Sequence, residues 1–140
     1  MTSLPDHKLL VLWAADCAER VLTHFEKEYP KDDRPRKAIE TARAWVRGEI
    51  KFKDIRTAAL AAHAAARYSK NLAARAAARA AGHAVATAHV AGHAPHAANY
   101  AVKAAEAAGI ASESEWQYSH LPERLRPLMK KMTKKNISTH

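Results

Sequence analysis

The stretch from Thr57 to Ala111 constrains this 140-residue chain most. Roughly half of it is alanine, and it holds five of the nine histidines. Alanine is the strongest intrinsic helix former, because it loses no rotamer freedom on folding and hides no polar group. A methyl side chain also lets helix axes approach closely. The stretch therefore predicts close-packed central helices, with the larger side chains near both ends of the chain wrapped around them.

The expected fold is all-α, a compact bundle of about six helices with an Ala-rich core. Residues 1–132 form the domain and residues 133–140 a basic, disordered tail. The length suffices to bury a core without cross-links. The single cysteine, Cys17, excludes an internal disulfide framework and fits a reducing compartment. No apolar run reaches the length of a membrane span, and no signal-peptide pattern opens the chain, so the reading is cytoplasmic. The net charge of +9 suggests polyanions, but much of it sits at one end. From His120 onward there are six Lys or Arg against one acid, whereas the first 56 residues are nearly balanced.

In chain order, a first helix is expected from His7 to about Phe25, capped by Asp6. Trp13 and Cys17 share its buried face, and Asp16 pairs with Arg20 four residues on. Pro30 ends it, and Asp32 or Asp33 caps a second helix that stops near Gly48. Its polar face reads as an intrahelical ladder of Arg36, Glu40 and Arg43. Asp54 is expected to cap a third helix, which breaks at Ser69-Lys70-Asn71, with Asn71 suited to a turn or to a new helix cap. A fourth helix runs from Leu72 towards His89 or Val90, with Gly82 marking a close neighbour. Gly92 and Pro95 separate it from a fifth helix stopped by Gly109. Ser112 or Ser114 caps a last helical piece, and Leu125, Leu128, Met129 and Met132 fold back onto the bundle.

Candidate sites are few. The Asp32-Asp33-Arg34-Pro35-Arg36 run is the densest polar cluster, read either as a helix cap with local ion pairs or as a recognition surface. Arg75, Arg79 and His83 form a stripe that could grip phosphates, and with the basic C-terminal segment they define an alternative reading as a nucleic-acid-binding module. The interleaved aromatics of single-strand binding and a helix-turn-helix pair are missing. His89, His93 and His96 have metal-ligand spacing, the basis of a third reading as a histidine metal site, although Gly92 and Pro95 interrupt the helix between them. No nucleophile elbow, phosphate loop or zinc-protease pattern occurs, and Cys17 and His24 lie about 10 Å apart along one helix. The chain reads as non-enzymatic, with no cofactor. An alanine-rich surface could also pair with a second copy as a homodimer.

Several blocks resemble a known family. His7-Lys8-Leu9-Leu10, Leu12-Trp13-Ala14-Ala15-Asp16-Cys17-Ala18, Asp32-Asp33-Arg34-Pro35-Arg36, Ala42-Arg43-Ala44-Trp45 and Ala80-Ala81-Gly82-His83-Ala84 through His89-Val90-Ala91 are similar to the small alanine-rich prokaryotic putative immunity proteins of the immunity-protein-5-like kind. The resemblance extends to about Pro127. It implies a helical protein that silences a toxin effector by direct binding, without catalytic residues. It also places Asp16, Asp32, Asp33, Arg34, Arg36, Arg43, His83, His89 and His93 at the polar positions of the matching blocks. The basic charge suits an acidic or neutral toxin better than a nuclease.

Overall fold

A computed structural model describes the backbone of residues 2–138 and the side chains of residues 2–134. Seven α-helices and two 3-10 turns make it 79% helical, against the six or so expected, with no strand among the described residues. The order is α1 (Leu4–Glu26), α2 (Arg34–Val46), α3 (Phe52–Tyr68), α4 (Leu72–Ala86), a 3-10 turn (Ala91–His93), α5 (Ala94–Ala107), α6 (Glu113–His120), a 3-10 turn (Glu123–Leu125) and α7 (Arg126–Ser138). Helix α7 passes Thr133, where the basic tail was expected to begin, and runs on to Ser138. The last two residues of that segment, 139 and 140, lie outside the described residues.

Local chemistry explains where the helices start and stop. α1 begins before Asp6: Ser3 is its cap, the Ser3 hydroxyl accepting the Asp6 N–H at 3.3 Å, and Pro5 fits the first turn. Asp54 is likewise not a cap but the third residue of α3, where its carboxylate accepts the Lys51 N–H at 3.3 Å. Asn71 caps α4 as expected, its Oδ1 accepting from the Ala74 N–H at 2.9 Å. Gly48 and Gly109 close α2 and α5 at φ 76° and 84°, a left-handed conformation that a side chain would strain.

α4 stops at Ala86, short of His89. The backbone N–H groups of Thr87, Ala88, His89 and Val90 take its last carbonyls in a closing turn, and two side chains add to that end. The Thr87 hydroxyl donates to the His83 carbonyl at 2.8 Å, and His7 Nε2 donates to the Thr87 carbonyl at 2.6 Å.

Helix α4 is the hub, packed against α1, α2, α3 and α5. Its inward face is methyl groups: Ala74, Ala77, Ala78, Ala81 and Ala84 are fully buried. The bulk of the core comes from α1, with Leu10, Trp13, Leu22 and Phe25, and from Ile39 and Ile55. At the far end Leu125 is buried, and Leu128, Met129 and Met132 pack on the core, as their spacing predicted. A buried relay locks α6 in place. The Trp13 Nε1–H donates to the Gln117 carbonyl, and Gln117 Nε2 donates to the Ala98 carbonyl, each at 2.9 Å.

Candidate functional site

Polar side chains gather in two regions. The first joins α1, α2 and α6. Glu113 is only 4% exposed, and Arg20 grips it with two parallel hydrogen bonds, Nε and Nη2 donating at 2.9 and 3.0 Å. The same guanidinium lies 4.2 Å from the Trp116 ring centre, and His120 stacks on that ring at 4.1 Å. Arg43 bridges α2 to α1, donating to Asp16 at 2.8 Å and to Glu19. These residues line an open groove of about 290 Å³ with Trp116.

Along the same side Arg36 clasps Glu26 at 2.6 and 2.7 Å, and Arg34 clasps Asp32 at 2.9 and 2.7 Å. Asp33 pairs with Lys37 at 3.2 Å. The guanidiniums of Arg36 and Arg34 hold the carboxyls of Glu26 and Asp32 below their ordinary range.

Two expected pairings do not form. Asp16 meets Arg43 rather than Arg20, and Arg36 and Arg43 leave Glu40 to cross to α1. The reason is geometric. α1 and α2 are packed together, so the planar guanidinium finds two-point carboxylate contacts across the helix interface. An exposed contact one turn along the same helix is worth less.

The second region is built from α3, α4 and the start of α5. His83 is its hub. The His63 and His93 rings lie 5.0 and 5.3 Å from it, His96 lies 5.2 Å away, and Tyr100 stacks on it at 5.3 Å with planes 7° apart. His83 Nδ1 and His93 Nδ1 face each other at 3.1 Å, so one carries a proton and the other accepts it.

Arg79 Nη1 donates to His63 Nδ1 at 2.8 Å, which places the imidazole proton of His63 on Nε2. Burial first, then the neighbouring cations and imidazoles, pulls His63 down to about 4 and His83 to about 3. His93 is lowered by the same causes. At neutral pH this is a network of uncharged imidazoles under a cationic rim.

Gly82 makes room for it. A Cβ at that position would stand 2.7 Å from Cε1 and Nε2 of His63. What approaches is thus a ring rather than the backbone of another helix.

The structure places the remaining sequence candidates as follows. Arg75 turns back to cap the end of α3, its Nε and Nη2 donating to the Ser69 carbonyl at 3.2 and 2.9 Å. Arg79 is committed to His63, so the expected stripe of Arg75, Arg79 and His83 is not a row of free donors. His93 and His96 join the cluster, while His89 packs edge-on against Phe52 at 5.5 Å. No group of three or more His, Cys, Asp or Glu side chains converges as a metal would need among the described residues. Burial raises the Cys17 thiol far above its ordinary value, an inert setting.

Sequence reasoning missed Arg20, Glu113 and Trp116, because 93 residues separate the ion pair. His63 joins the cluster from α3, at the point where Gly82 signalled that something comes close.

Among the described residues no helix is long and apolar enough to cross a membrane. Residues 1–124 match the family described as Imm-5 like putative immunity protein. No curated protein and no solved structure matches the chain.

Proposed function

We propose that this chain, which belongs to the Imm-5 like putative immunity protein family, binds and silences a toxin effector by direct, non-catalytic contact. Family membership supports a toxin as the partner. The observation that carries a binding role is the uneven use of charge. Among the described residues, all eight ion pairs lie outside residues 55–112, in which Arg56, Arg67, Lys70, Arg75, Arg79 and Lys103 face a single acid, Glu106. A rigid alanine-packed frame thereby presents a cationic side that its own carboxylates do not neutralise. Of the tentative contact residues, Asp16, Asp32, Asp33, Arg34, Arg36 and Arg43 are engaged internally. Arg79 and His83 belong to the unneutralised side, and Arg75 borders it.

The test is a pull-down from native-host lysate with the untagged-face protein immobilised through its C-terminus, with and without nuclease. One protein retained at near-equal stoichiometry after nuclease treatment, whose toxicity is relieved by co-expression, is the expected result. Nucleic acid retained alone and released at moderate salt would replace this reading with a nucleic-acid-binding one.

A further inference from the structure

The outward face of α3 carries apolar and cationic side chains in one row. Phe52, Arg56, Leu60, His63 and Arg67 follow one another at intervals of four, four, three and four, which places them within an arc of about 80°. Phe52 is 57% exposed and Leu60 is 59% exposed, and Arg56 and Arg67 are exposed beside them. Neither arginine has a carboxylate partner among the described residues. His63, in the floor of the face, is kept neutral by its burial and by the charge of the Arg79 guanidinium beside it. The one acid of α3, Asp54, lies off this arc, in the groove towards α2 with Arg34 and Lys37.

A lone exposed leucine or phenylalanine is ordinary. Here two sit in one row, interleaved with cations and without an anion.

We propose that this α3 face, carried by Phe52, Arg56, Leu60 and Arg67, is where the toxin docks, and that the toxin meets it with carboxylates set around an apolar patch. The inference rests on the immunity reading above. Charge complementarity selects this occupant. A second copy of the chain, joined by two-fold symmetry, would bring four arginines into one interface with no carboxylate on either face. A phosphate backbone would match the arginines but offers little apolar surface to cover Phe52 and Leu60. An acidic protein surface with an apolar centre satisfies both, with Phe52 and Leu60 as desolvated anchors and the arginines steering approach.

The probe is the protein retained in the pull-down described above, produced with the chain and purified as the complex. Affinity is measured by calorimetry for the wild-type chain, Leu60→Ala, Leu60→Glu, the double variant Arg56→Glu/Arg67→Glu, and Arg36→Glu as a control on the ion-paired side. Leu60→Glu is expected to weaken binding at least about 30-fold and the double variant about 100-fold, with Leu60→Ala intermediate at about 5-fold. The double variant should also lose most of the salt dependence, and circular-dichroism melting should show every variant folded. Arg36→Glu should bind like wild type.

Binding of all α3 variants within about 3-fold of wild type would overturn this surface and leave the immunity reading standing. Failure of the wild-type chain to bind the effector would overturn both. A random-sequence DNA duplex serves as a second probe: binding abolished by the double variant but untouched by Leu60→Glu would make nucleic acid the occupant. Concentration-dependent dimerisation lost in Leu60→Glu would make it a second copy.

Discussion

On the α1–α2–α6 side, Arg20, Arg34, Arg36, Arg43 and Arg47 each meet a carboxylate. On the α3–α5 side, Arg56, Arg67, Arg75 and Arg79 meet none among the described residues, and the imidazoles beneath them stay neutral. The first arrangement fastens helices to one another. The second leaves charge and apolar surface available to something else. The contrast teaches that a dense polar block is a poor marker of recognition. Asp32-Asp33-Arg34-Pro35-Arg36 is the richest such block in the chain, and its charges close on their neighbours.

Acid should break the contrast most severely, chiefly on the side of the histidine cluster. His63 and His83 titrate below their unfolded value, so the unfolded chain takes up protons first as pH falls beneath about 6.5. Stability is therefore complete above that pH and is lost progressively towards pH 4. Between pH 7.5 and 5 the loss should be roughly 2 kcal/mol for each of the two histidines, read by urea denaturation. His63→Ala should remove part of this slope; an unchanged slope would show that the cluster is not its source.

The next largest effect belongs to the paired side. Arg20→Ala strands Glu113 in the interior and should cost about 3 kcal/mol at pH 7. The loss is read by urea denaturation; a loss under about 1 kcal/mol would show that the pair is not what holds Glu113 in the interior.

Gly82→Ala gives a smaller effect with a sign that can be switched. Alanine favours the helix by about 1 kcal/mol, but its Cβ collides with His63, for a net loss of about 1 kcal/mol. In a His63→Ala background the same change should become stabilising by about 1 kcal/mol. The smallest change is Arg36→Ala, an exposed pair whose loss should cost under about 0.5 kcal/mol in thermal melts.

How much of this was legible in the sequence depended on the reach of the interaction. Asn71 as a cap, Gly48 and Gly109 as stops, and the inward return of Leu125 follow from chemistry within a few residues. They stand where the sequence placed them. The start of α1 moved because Ser3 supplies its cap, and that of α3 because Asp54 acts from the third helical position, accepting the Lys51 N–H, rather than from the position before the helix.

The arginine partners were not legible, since Arg20 and Glu113 come together only after α6 is set against α1. Nor was the hub role of His83. Spacing related it to Arg75 and Arg79 on its own helix, whereas its neighbours arrive from α3, the 3-10 turn and α5. Where toxin contact is made is proposed from the face of α3, a surface that no polar motif in the sequence singles out.

The methyl-lined interior of α4 has a consequence for how such a chain can change over generations. Ala77, Ala78, Ala81 and Ala84 are fully buried between packed helices, so almost every replacement adds bulk where helices touch, and only glycine subtracts it. Drift at those positions is penalised in nearly every direction. The outer row of α3 carries no such penalty, because Phe52, Arg56, Leu60 and Arg67 contribute little to the packing. A lineage built on this frame can therefore rewrite one helix face while the scaffold stays the same.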